Sequence, residues 1–270
     1  MEHVTTIEAT EPSLLTLLSA DRGWSAYALC DLEPSYLPYC HFLGSWRDRN
    51  LNAVLFIFAS PGFTAISAHG TAGVDVLLAA ALTSQMIPVG SAILARQSDL
   101  PVYAQRLTLG HRTPLVRMVL SAERFEPRTC PPGFRVRRLT DGDLPALDSL
   151  YASWPETVFN RFMFAEGVYF GAFVTGALVA AAGTHAVSNV QQIAMVGNVF
   201  TAPAQRGKRL AEATTSAVVA ELFRAGVRDV ALNVKAENAP AIAVYARLGF
   251  RQYLAFVETR VLALDQRTDH

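Results

Sequence analysis

At 270 residues the chain is long enough for two domains of ordinary size. With 51% hydrophobic and 17% charged residues and a formal net charge of zero, it can bury a core and is no disordered tail; the neutral balance also sets nucleic acid aside as the main partner, since phosphate backbones are held by basic surfaces. Cys30, Cys40 and Cys130 are odd in number and show no C-x-x-C spacing, which suits a reducing compartment rather than a disulfide scaffold and gives no metal signature.

The opening stretch MEHVTTIEATEP carries acids and no basic-then-apolar order, so it does not read as a signal peptide. The longest apolar runs, Ala53 to Ala59 and Ala177 to Ala182, fall far short of the ~20 residues of a membrane helix. A soluble cytoplasmic protein with no membrane partner is the expectation, as a monomer or a homodimer.

Helical apolar spacing recurs over Ser13 to Ala20 and Trp24 to Leu32, while Ala53 to Ala59, Thr64 to Ala68 and Leu115 to Ser121 read as buried strands. Between them a glycine-rich turn, Gly70 to Gly73, precedes a helix over Val74 to Leu82. Tyr27, Asp31, Tyr36, Tyr39, His41 and Trp46 form a polar-aromatic cluster that either lines an acceptor pocket or straddles a domain surface. The run FEPRTCPPGF has the composition of a linker, so residues 1–125 are expected as a mixed α/β domain, 126–133 as the linker and 134–270 as a second domain.

In the second domain a strand over Phe134 to Leu139 leads, through Thr140 and Asp141 as caps, into a helix to Ala152, with another helix over Thr157 to Ala165. Strands follow at Val168 to Val174, Leu178 to His185 and Gln192 to Phe200, the first two joined by a Thr175-Gly176-Ala177 turn. A helix over Leu210 to Ala225 closes at Gly226. A strand at Asp229 to Lys235, a helix at Asn238 to Leu248 and a strand at Gln252 to Val261 finish the chain.

The junction VFTAPAQRGKRLAEA sets Gly207 and the cations Arg206, Lys208 and Arg209 just before an amphipathic helix. A glycine admits an anion close to the backbone, and free first-turn N–H groups with the helix dipole attract it. Such a turn is as often a plain solvated face. About thirty residues on, LNVKAENAPAIAVYARLGF places Asn238 and Tyr245 on one helix face.

Together, V-x-T-x-P-x-x-R-G-x-x-L-A, a helix, a strand L-N-V and N-x-x-A-x-x-x-Y-x-x-L-G-F resemble, in order and spacing, the GNAT superfamily of acyl-CoA N-acyltransferases. The resemblance covers about the last 130 residues. It implies a mixed, largely antiparallel sheet flanked by helices, an α/β (α+β) fold splayed to admit coenzyme A. By its element order the first domain reads as a degenerate copy of the same fold, without the R-G-x-x-x-A loop.

The resemblance further implies that the backbone of Val199, Phe200 and Thr201 pairs with the pantetheine arm of acetyl-CoA, and that the loop Arg206, Gly207, Lys208, Arg209, Leu210 and Ala211 wraps its pyrophosphate. Asn238 would face the pantetheine or the reacting region. Tyr245, near the sulfur, is the catalytic acid for the thiolate; equally, a tyrosine on an apolar helix face is core packing. His185 is the candidate base or a structural strand histidine, with Glu166 and Glu237 behind it. Arg209 departs from the family's second glycine: helical dihedrals would let it project outward to a phosphate, whereas a positive φ would impair binding. The cosubstrate is acetyl-CoA, with no metal. The acceptor is a small amine or amino acid, the alternatives being a protein or peptide amine or a non-catalytic acyl-CoA sensor.

Overall fold

The structure is a computed structural model that describes residues 2–154 and 156–264. It forms two compact units, one of residues 2–117, 235–237 and 254–264, the other of the described residues of 118–234 and 238–253. In chain order the elements are β1 (Glu2–Thr6), α1 (Pro12–Ala20), α2 (Ala26–Cys30), β2 (Cys40–Arg47), β3 (Asn50–Ser60), β4 (Phe63–Gly70), α3 (Val74–Thr83), β5 (Ala92–Arg96), α4 (Leu100–Arg106), β6 (Leu107–Leu109) and β7 (Thr113–Ser121). Then come β8 (Arg135–Arg138), α5 (Leu144–Tyr151), α6 (Arg161–Glu166), β9 (Phe170–Val174), β10 (Ala177–Ser188), β11 (Ile193–Thr201), α7 (Leu210–Arg224), β12 (Asp229–Lys235), α8 (Ala239–Arg247) and β13 (Arg251–Leu264).

One pattern is written twice. A strand, two helices, three antiparallel strands, a helix, a strand parallel to the third, and a further helix with its strand occur from β1 to β7 and again from β8 to β13. The expected α/β class and the degenerate copy in the first half are both what the structure holds.

The units do not part at the expected linker. β7 runs from the first unit into the second at Met118, and β13 runs from the second back into the first at Leu254. In the first unit Phe256–Arg260 of β13 lie antiparallel against Ala92–Arg96 of β5, and β6 pairs further along β13. An apolar strand carries no mark of which sheet accepts it, so composition placed the cut at the prolines instead. Those prolines are held: Arg128 N donates to Ser216 Oγ at 2.8 Å, its Nη2 donates to the Arg247 carbonyl at 2.6 Å, and Phe125 packs edge-on against Phe223.

The first unit's core gathers Leu55, Ile57, Ile66, Leu77, Ile93, Tyr103, Val257 and Val261. The expected polar-aromatic cluster does not converge within it. Tyr27 lies under the Arg117 guanidinium, Trp46 donates to Thr5 Oγ1 at 2.9 Å, Tyr39 packs against Phe58, and His41 is exposed.

The second unit's sheet runs β8-β9-β10-β11-β12. α5 and α6 cover one side, with Leu147, Leu150, Tyr151, Phe164 and Tyr169 packed around Ala181, and α7 covers the other, with Leu210 against Ala180. Successive side chains of a strand face opposite sides, so the alanine run of β10 lets helices approach closely on both. The helix expected from Thr157 begins later, at Arg161, because Asn160 is its cap: Asn160 Oδ1 accepts from Met163 N at 2.9 Å. Thr140 and Asp143 form a capping box ahead of α5.

Candidate active site

β11 is paired on both sides for only part of its length. It runs parallel to β12 from Ile193↔Asp229 to Val196↔Leu232, and there that ladder stops. Beyond it, Gly197, Phe200 and Thr201 stay paired with β10 on the other side, with a bulge at Asn198 and Val199. The backbone of Gly197–Thr201 that faces away from β10 therefore borders a notch, and Val199, Phe200 and Thr201 stand where an extended ligand would add as a strand. The Thr201 hydroxyl is buried without a hydrogen-bond partner among the described residues.

At the end of the notch the chain makes a short turn, Pro203–Gln205, and enters α7. Gly207 has φ +77°, and a side chain there would touch nothing, so its backbone conformation alone calls for glycine. Arg209 caps the helix at φ 57°, ψ 23°, the positive-φ alternative. Its backbone thus adopts the left-handed geometry that a glycine would take freely, at a cost of about 1–2 kcal/mol. No side chain caps α7, so first-turn N–H groups remain open to a ligand.

The loop cations have different local anchors. Arg206 lies over the Phe200 ring and donates to the Thr201 carbonyl at 3.4 Å, and Lys208 reaches Gln205 Oε1 at 2.7 Å. Arg209 is exposed and lines a groove of about 390 Å³ opposite Arg128–Pro132. Leu210 is buried beneath the loop and Ala211 half-buried. The carboxylate nearest this helix end, Glu212, is engaged by Arg247 Nε at 2.8 Å and faces Arg128 Nε at 3.5 Å, which leaves the loop's cations unopposed by it.

Two bulges in the β10–β11 ladder shape the α5/α6 side. Register is lost between Thr184 and Ala186, which makes His185 the extra residue, and again between Ala181 and Gly183, opposite Asn198 and Val199. A bulge re-aims side chains and increases local twist. Gly183 and Gly197, paired across the ladder, each make room for a ring: a methyl on Gly183 would strike Tyr169, and one on Gly197 would lie 2.1 Å from His185 Nε2. Asn198, at φ 51°, joins the group. Its carbonyl accepts from Tyr151 Oη at 2.5 Å, its Nδ2 lies 2.8 Å from Tyr169 Oη, and Tyr169 Oη donates to the Thr184 carbonyl at 2.9 Å. Burial pushes the His185 imidazole down to about 4, with the neighbouring Asn198 side chain acting weakly the other way. His185 is therefore neutral at physiological pH.

Asn198, Tyr151 and Tyr169 are absent from the sequence expectations. Their signal was two glycines and an asparagine inside strand-like runs, which mark bulges and close approaches.

Tyr245 sits on α8, buried and edge-on to Phe250 at 5.9 Å; burial pushes its phenol up to about 12, so it stays protonated and able to donate. Asn238 caps α8, its Oδ1 accepting from Ala241 N at 3.1 Å, which commits that oxygen to the helix and leaves its amide nitrogen for other contacts. Glu166 and Glu237 are both exposed, and Glu237 belongs to the first unit. Among the described residues no three His, Cys, Asp or Glu side chains come together as a metal site, and no helix is long and apolar enough to cross a membrane.

The parallel pair β11–β12 thus opens beside a helix N-terminus preceded by a positive-φ glycine, an arrangement able to take an extended ligand that ends in an anion. Residues 135–250 match the acetyltransferase (GNAT) family model. A tandem GNAT protein from the clavulanic acid biosynthesis pathway superposes with TM-score 0.67 over 100% of both chains at 16% identity. An N-acetyltransferase from Sphaerobacter thermophilus gives 0.69 over 96% of this chain and 95% of its own at 17% identity. At these identities the likeness is one of fold, and it extends through the first unit. A 56-residue stretch is 43% identical to mycothiol acetyltransferase from Actinosynnema mirum; the match spans 21% of this chain and 19% of that protein.

Proposed function

We propose that the second unit transfers an acetyl or similar acyl group from acyl-CoA to the amine of a small molecule or amino acid. The observation that carries this is the end of the β11–β12 ladder at Val196↔Leu232, one strand-length from the Gly207–Arg209 turn. In this reading the open backbone at Val199, Phe200 and Thr201 receives the pantetheine amides, with the Thr201 hydroxyl as an additional partner. The loop Arg206–Ala211 holds the pyrophosphate through amides and cations, more weakly than a loop with glycine at position 209 would, since Arg209 stands at a positive φ. The Asn238 amide nitrogen faces the pantetheine.

The chemistry then divides among groups already in suitable protonation states. The amine nitrogen must be neutral to form its bond to the thioester carbon, and its proton leaves toward neutral His185, directly or through water. A backbone N–H of β11 beside the bulge stabilises the oxyanion. As the carbon–sulfur bond breaks, Tyr245 gives its phenolic proton to the departing thiolate.

Calorimetric titration with acetyl-CoA, followed by a thiol-release screen over amines and amino acids, tests the reading. Saturable binding with thiol release for some small amine is expected. Binding without release under any amine would instead mark a sensor, and absence of binding would overturn the proposal.

A further inference from the structure

The repeated pattern allows the two units to be read against each other position by position. In the first unit β4 runs parallel to β5 from Ala65↔Ala92 to Ser67↔Leu94 and then continues to Gly70 paired with β3 alone. This is the same opening that β11 and β12 make after Val196. Ala68 thus corresponds to Gly197, and His69 to Asn198.

In the second unit that opening borders free backbone. In the first it is filled by a side chain of the unit itself. Trp24, from the turn before α2, is 3% exposed and donates its indole N–H to the Ala68 carbonyl at 2.7 Å, the first carbonyl beyond the paired stretch. Its ring is enclosed by His69 at 6.0 Å, Phe256 at 5.5 Å, and the guanidinium groups of Arg96 at 5.2 Å and Arg117 at 5.9 Å. Each wall is fixed in turn. Ser25 and Ser67 hold the two His69 nitrogens at 3.0 and 2.9 Å, Arg96 pairs with Asp21 at 2.5 Å, and Arg117, 1% exposed, donates to the Gly23 carbonyl at 2.8 Å.

The phosphate end differs in the same sense. Eight residues, 202–209, join β11 to α7, with three cations among them, whereas residues 71–73, Thr-Ala-Gly, join β4 to α3 with none. Each helix has a carboxylate in its first turn, Asp75 in α3 and Glu212 in α7, so the difference at this end lies in the loop length and its cations.

We infer that the first unit's notch is closed by Trp24, so that the chain takes acyl-CoA at the second unit alone. The closure stands on the first unit's own contacts; the single occupied site rests on the proposed function. A buried indole engaged in a hydrogen bond and two cation–π contacts leaves an extended ligand neither the carbonyl nor the space.

Hydrogen–deuterium exchange of the full chain with and without acetyl-CoA separates the outcomes, with calorimetry for the stoichiometry. Slowed exchange over residues 199–213, unchanged exchange over 66–76, and about one acetyl-CoA per chain is the expected result. Slowed exchange over 66–76, or about two acetyl-CoA per chain, overturns the closure. A Gly207→Val chain that still binds acetyl-CoA saturably with protection at 66–76 does so too. No protection anywhere would refute the proposed function while agreeing with a closed first notch.

Discussion

Arg209→Gly and Arg209→Ala together test the geometry of the phosphate turn. Arg209 holds φ 57° and ψ 23° with an exposed side chain. A non-glycine residue there costs about 1–2 kcal/mol, and alanine keeps that cost while removing the guanidinium. Glycine relieves the strain but gains about 0.4–1 kcal/mol of unfolded-state freedom. The difference leaves the glycine variant more stable than the alanine variant by about 0.5–1 kcal/mol, which corresponds to roughly 2–3 °C in Tm for a chain of this size. Urea unfolding and thermal melts of both variants measure it. Titration with acetyl-CoA should show the glycine variant binding more tightly than the alanine variant, since its loop reaches the anion-accepting conformation without strain. Equal stability of the two variants would mean that residue 209 does not occupy the left-handed region, and the account of the turn would fail.

Tyr245→Phe should lower kcat by about 10²-fold, within the range of one general acid, while leaving the acetyl-CoA Kd nearly unchanged; equal losses in both would remove the tyrosine from proton transfer. Gly197→Ala should cost about 1–3 kcal/mol of stability by overpacking against His185, and steady-state kinetics should show turnover falling further than cofactor affinity. His185, held near 4 in the fold against about 6.5 unfolded, binds fewer protons folded than unfolded between those values. Its contribution to stability is thus complete above pH 6.5 and is lost as pH falls toward 4. His69, held near 3, acts in the same direction, and Asp31, raised to about 8 by burial, acts in the opposite one. His185→Gln should therefore flatten the loss between pH 6.5 and 4.5 by about 2 kcal/mol relative to the unsubstituted chain, read from urea unfolding at each pH. An unchanged slope would show that His185 is not held neutral by burial.

The second unit was legible because its elements announce themselves locally. Thr140 caps, Thr175-Gly176 turns, and the loop before α7 carries a glycine and three cations in a fixed order. What the sequence hid depends on partners distant along the chain. The His185 bulge exists only against β11, and Asn198 shows its part only once Tyr151 and Tyr169 reach it from α5 and the start of β9. Arg209 could be located but not oriented, because a one-letter pattern fixes a position and not a dihedral angle. In the first unit Trp24 looked like an ordinary apolar helix residue, and its function as a filler appears only with the carbonyl of Ala68, 44 positions away.

The strand that completes the first unit is synthesised after every other strand of the second. Phe256–Arg260 supply the neighbour of Ala92–Arg96, so on the ribosome β5 waits without that partner while more than half of the chain is still being made. Domains of a growing chain ordinarily fold from the N-terminus as they emerge, and contacts of such sequence separation form slowly. Here the first half cannot finish before the second has left the exit tunnel, and a nascent or truncated chain exposes an unpaired strand edge of the kind that recruits other chains.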